Sequence, residues 1–295
     1  MKVLRVVVGV AILGMASGVF CPIEALSQSM KRNIAVGGVD GFDALADPSN
    51  SAALRSTGRV SLYIHKYIWD NTNPDLHKTV GSVFDGTGPA VIEVGETSLP
   101  QVYWSKLNEQ FKSAGIFPGA AYVNAPKVMQ SSLTLPKWKS YVDVARSYGV
   151  KIVAPVRTPN MNEWETSNFN DGKWDSVREM AKYGGGLVVD SPPYYFLARP
   201  EGYRKFVEDE IVWAKEQGIQ AILIISPPYN GGDFLKPTEQ MIALLRKDGA
   251  LPTNYVVENY RSKPPVGFKN VIGSERDPMT VLGVAMWLAR NVKGG

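Results

Sequence analysis

Short apolar runs rich in β-favouring residues recur along this chain at 60–65, 90–93, 120–124, 151–157, 186–190, 221–226, 255–258 and 271–275. Longer segments with helical spacing of apolar positions separate most of them, at 101–114, 137–148, 174–182, 202–217, 238–247 and 279–291. Gly115, Gly149, Gly184, Gly218 and Gly249 stand where these helices should end, and Pro136, Pro200, Pro237 and Pro278 near where they should begin. Strands separated by helices predict parallel pairing through right-handed crossovers. The expected fold is therefore α/β, a (β/α)8 TIM barrel in a single domain. The connection 66–89 carries the weakest helical signal. A doubly wound open sheet is the competing architecture, but the strand count and the lack of a Gly-rich phosphate loop after the first run favour the barrel. A short echo, Val188-Val189-Asp190-Ser191-Pro192-Pro193-Tyr194 against Ile224-Ile225-Ser226-Pro227-Pro228-Tyr229, fits repeated units.

The amino-terminal pattern differs from the rest. Lys2 and Arg5 precede an uncharged apolar run from Val6 to Phe20, and Ala25-Leu26-Ser27 follows as a small-residue site. This layout predicts a signal peptide over 1–27 and a periplasmic or secreted protein. The run is short for a membrane span of about 20 residues, so no stable span is expected after cleavage. Bulky Phe20 before Cys21 argues against lipidation. Residues 28–58, rich in Gly, Ser, Asn and Asp, read as an irregular arm ahead of a barrel over 59–295.

Cys21 is the only cysteine, so cleavage excludes disulfides, a Cys nucleophile and Cys-ligated metal. The net charge of +4 is small and its basic residues are scattered, which gives no footprint for nucleic acid.

Strand side chains alternate between barrel interior and helix layer, and the helix-facing set must be apolar. With Ile64, Ile92, Val123, Val156, Val189, Ile225, Val257 and Ile272 outward, the last inward residues are His65, Glu93, Asn124, Arg157, Asp190, Ser226, Glu258 and Glu275. Deeper inward positions, Tyr63, Val91, Val153, Val188, Ile224 and Val256, suit a packed interior. Polar groups thus gather at the carboxyl rim, where barrel enzymes keep their active sites. A structural barrel does not need ionisable groups there, because they are costly to desolvate.

Only His65 and His77 are available, too few for a typical zinc site, and no metal or cofactor is expected. No GxSxG elbow supports a serine triad. Paired carboxylates remain as acid/base and nucleophile or water activator, with Glu258 first and Asp190 and Glu93 as partners. Glu275, beside Arg276 and Asp277, also fits an ion-pair network. Trp69, Tyr194, Tyr229 and Tyr260 follow strand ends, where aromatic faces can pack on sugar rings. The expected substrate is a polysaccharide or oligosaccharide.

Two segments carry a resemblance. Tyr255-Val256-Val257-Glu258-Asn259 resembles the seventh-strand segment of retaining barrel glycoside hydrolases, which implies a nucleophilic Glu258. Asn162-Glu163 is similar to the Asn-Glu pair that carries their acid/base, although it lies beyond Arg157 and not at a strand end. His65 with Glu93-Val94-Gly95-Glu96 resembles glycerophosphodiesterase and phospholipase D-like barrels, which implies metal-dependent phosphodiester cleavage. Those enzymes, however, place a second His shortly after the second strand, and this chain has none there. A non-catalytic glycan-binding barrel, or an accessory protein of polysaccharide export, would use the same aromatics and polar ring without cleaving.

Overall fold

The computed structural model describes residues 33–38, 44–45, 47–65, 89–95, 101–113, 117–124, 135–156, 173–228, 232–259 and 273–293. Eight strands, all paired in parallel and in sequence order, close into a barrel: β1 Ile34–Gly38, β2 Val60–His65, β3 Pro89–Gly95, β4 Phe117–Asn124, β5 Lys151–Val156, β6 Gly186–Asp190, β7 Gln220–Ile225 and β8 Asn254–Asn259. The described helices are α1 Pro48–Ser56, α2 Gln101–Ser113, α3 Leu135–Ser147, α4 Lys173–Gly184, α5 Pro193–Ala198, α6 Glu201–Glu216, α7 Leu235–Lys247 and α8 Val281–Asn291. This is the expected (β/α)8 barrel.

Its strand order corrects the sequence reading at both ends. The segment expected to be an irregular arm supplies β1, which pairs with β2 on one side and β8 on the other and so closes the barrel. The same segment supplies α1. The Asp47 carboxylate caps that helix by accepting from the Ser49 and Asn50 amides, and Pro48 opens it where a missing N–H costs nothing. Conversely, the expected last strand at 271–275 is not a strand over its described part. Gly273 is in the left-handed region (φ 54°), and Glu275 lies in a turn leading to the cap of α8, where Thr280 Oγ1 accepts from the Gly283 amide at 3.1 Å.

Two apolar layers hold the barrel. Ala35, Tyr63, Val91, Val153, Val188, Ile222, Ile224 and Val256 form a buried cluster of their own inside it. The alternate residues, such as Ile34, Leu62, Ile64, Ile152, Leu187, Leu223 and Val257, join the helices in the larger outer core. All six deeper positions expected from parity belong to the inner cluster. At the amino end of the barrel the Arg59 guanidinium donates to Asn33 Oδ1 (2.8 and 3.1 Å) and to the carbonyls of Ala289 and Val292, tying β1, β2 and the closing helix together.

Candidate functional site

The carboxyl ends of the strands carry the polar residues that parity assigns inward. Val256 belongs to the inner cluster, so Glu258, two residues on, takes the same side of β8. Glu258 is 5% exposed and Ser226, just beyond β7, is 1% exposed. Ile224 pairs with Val256, which puts Ser226 and Glu258 at one level above the apolar interior. Asp190 ends β6 in register with Ile224 and is exposed. His65 and Glu93 are register partners at the parity of Tyr63 and Val91, and Asn124 pairs with Gly95 at the end of β4. On β1, Gly37 is the partner of both Glu258 and Tyr63. Among the described residues no group of three or more His, Cys, Asp or Glu could hold a metal ion.

A buried carboxyl above an apolar layer is suited to proton transfer, because low polarity magnifies the response of its affinity for a proton to nearby charge. Tyr194 lies on the short helix α5 and is half-buried, with its ring centroid 4.4 Å from that of Tyr195.

Glu275 is a correction. With 273–275 not forming a strand, its carboxylate belongs to the outer, helical side, paired with Arg276 at 3.1 Å and with Arg290 of α8 at 3.6 Å. Its amide donates to Asn50 Oδ1 at 3.1 Å, so the alternative ion-pair reading of Glu275 fits and the rim reading does not. Trp69, Arg157, Tyr229 and Tyr260 lie outside the described residues, as do Asn162 and Glu163. The sequence reading did not single out Asn259, 2% exposed at the end of β8, nor Arg199, which follows α5 with its guanidinium over the Tyr195 ring. Parity assigns Asn259 outward, so only the structure brings it forward.

No family model matches the sequence, and no curated protein is similar to it in sequence. Solved structures are similar in fold. A D-psicose 3-epimerase, determined in the presence of D-fructose, superposes with a TM-score of 0.52 at 11% identity, covering 89% of this chain and 100% of that one. That likeness shows the fold. The endo-β-1,4-glucanase Xac0029 from Xanthomonas axonopodis pv. citri gives 0.49 at 11% identity over 88% and 99% of the two chains. N-acetylneuraminate lyase from Fusobacterium nucleatum gives 0.45 at 10% over 90% and 77%.

The observed strand order bears on the glycoside hydrolase resemblance. Glu258 stands on the eighth strand, not the seventh, and residues 162–163 follow the fifth strand, not the fourth. The fourth and seventh strands end near Asn124 and Ser226 instead. The pair of roles tied to strand number in that group does not carry over to Glu258 and Glu163.

Proposed function

We propose that this chain is an exported carbohydrate-active enzyme, periplasmic or secreted, that hydrolyses glycosidic bonds in a polysaccharide or oligosaccharide with carboxylates at the carboxyl rim of the barrel. Glu258 acts as base or nucleophile, with Asp190 or Glu93 as its partner. His65, Asn124, Ser226, Tyr194 and the sequence-assigned Trp69, Arg157, Tyr229 and Tyr260 contact sugar. The observation that carries this reading is the near-complete burial of Glu258 at an inward position directly above an all-apolar layer. A barrel serving only as scaffold would continue with Val or Ile there, as the layer below does, and avoid the desolvation cost. No metal or cofactor is invoked.

The purified protein should release new reducing ends from at least one member of a panel of polysaccharides, and Asp190→Asn or Glu93→Gln should slow that release by about 10²-fold or more with the fold intact. Release unaffected by both substitutions would refute the assignment of the partner. The strand order favours one second reading, a glycan-binding barrel that does not cleave, because its fourth and seventh strands lack the carboxylates of the retaining hydrolases. Glycan binding that survives Glu258→Gln, without product from either protein, would establish it.

A further inference from the structure

We infer that the corner between β6 and α6 holds a carboxylate borne on a sugar, with Arg199 as its receptor, so that the glycan is acidic; this rests on the carbohydrate reading above. Helix α5 follows β6 after only Ser191 and Pro192, and Arg199 lies between α5 and the start of α6. The Arg199 guanidinium sits 5.0 Å from the ring centre of Tyr195 and 5.7 Å from that of Tyr203. Tyr203 is itself fixed, buried with its hydroxyl 3.2 Å from that of Ser191, the residue next to Asp190. The guanidinium is thus held in one orientation by aromatic rings, which satisfy its charge but not its N–H donors.

Its Nη1 is buried and, among the described residues, has no hydrogen-bond acceptor. The same holds for Nε of Arg204, on the first turn of α6. Among the described residues neither arginine has an ion-pair partner, and Glu208 acts on Arg204 only through its charge. Buried donors of a charged group are almost always paired in folded proteins, so the unpaired donor of Arg199 calls for an acceptor from outside, and Arg204, five residues on, carries a second. A planar guanidinium fork matches a carboxylate in two-point geometry, and pre-orientation by the rings reduces the entropy lost on binding. Tyr195, partly exposed beside Tyr194, offers the apolar face that a sugar ring packs against.

The test is calorimetric binding of polygalacturonate and of its carboxyl-reduced, neutral counterpart to the full chain at fixed ionic strength. The wild type should bind the acidic polymer at least about tenfold more tightly. Arg199→Gln should abolish most of that preference, while Arg276→Gln, which removes the same charge from an exposed site elsewhere, should keep it. Arg199→Lys retains the charge and loses the fork, so it serves if the Gln variant does not fold, and it too should lose most of the preference. Equal binding of the two polymers by the wild type, or a preference undiminished in either Arg199 variant, overturns the inference. Cleavage of neutral glycans without acidic preference would defeat this inference and leave the hydrolase reading standing. Acidic-polymer binding without cleavage would do the reverse.

Discussion

Replacing Arg178 with methionine is expected to destabilise the protein in a way that depends on pH. Arg178 on α4 clasps Glu210 on α6 through Nη2 to Oε1 at 2.7 Å and Nε to Oε2 at 3.4 Å. The Glu210 side chain is only 3% exposed and that of Arg178 is 34% exposed, with its guanidinium 5.0 Å over the Trp213 ring. Burial already pushes the Glu210 carboxyl above its ordinary pKa, against the pull of Arg178. Orphaning a fully buried charge costs about 3–5 kcal/mol, and water reaching the half-open Arg178 side lowers this to roughly 2–3 kcal/mol. At about 2–4 °C per kcal/mol for a chain of this size, the melting temperature near neutral pH should fall by about 5–10 °C. Methionine keeps aliphatic contact with Trp213, and the double variant Arg178→Met/Glu210→Gln should recover about 1–2 kcal/mol over additivity. The sign with pH follows from a folded-state pKa raised above the unfolded one. Charged Glu210 is a cost above its folded pKa that is relieved as pH falls toward the unfolded value, and losing Arg178 raises the folded pKa further. The deficit of Arg178→Met relative to wild type should therefore shrink between neutral pH and about pH 5. Calorimetric melting of the four proteins of the cycle at both pH values is the assay. Additive effects with a deficit independent of pH would show that Arg178 and the charge on Glu210 are not coupled.

Three further outcomes follow from the fold. Arg59→Met removes the guanidinium that bonds Asn33, Ala289 and Val292, and should cost roughly 2–4 kcal/mol, with faster amide exchange in the last turn of α8; unchanged exchange there would contradict it. Tyr255→Phe removes a hydroxyl that is buried with no hydrogen-bond partner among the described residues, and should raise the melting temperature by about 2–4 °C, whereas a fall would show that the hydroxyl is satisfied. Gly38→Ala would place a Cβ 2.3 Å from the Asn259 carbonyl oxygen, and should destabilise by about 1–3 kcal/mol or more in thermal melting, whereas an unchanged melt would place β1 outside the barrel.

The alternation rule read the barrel interior correctly at Tyr63, Val91, Val153, Val188, Ile224 and Val256, because each is enclosed on one face and its neighbours are driven outward against helices. It misnumbered the strands. Strand β1 has the sequence Ile-Ala-Val-Gly-Gly, and its two glycines weaken the strand signal for the same reason that they are needed. A Cβ on Gly37 would stand 2.1 Å from the Tyr63 carbonyl oxygen, so the close approach that lets β1 seal the barrel is what erases its pattern. At the other end residues 271–275 look strand-like, but a Cβ on Gly273 would collide with Thr280, and the chain folds back there to cap α8. One strand missed and one added left the count at eight while shifting every strand number by one. The site suffered accordingly. Glu258 and Asp190 keep the parity of the inner cluster at Val256 and Val188, the side chains of Glu93 and His65 lie outside the described residues, Glu275 leaves the rim, and the arginine held between Tyr195 and Tyr203 depends on cross-helix packing that periodicity does not encode.

The most direct test of the claim that rim carboxylates perform the chemistry is paired melting and turnover of Glu258→Gln on whichever glycan the wild type degrades. A residue kept for function at the expense of stability should yield a protein that melts within a few degrees of wild type, or higher, and turns over at least about 10²-fold more slowly. A variant that melts far lower while retaining its rate per folded molecule would make Glu258 a structural residue and contradict the account.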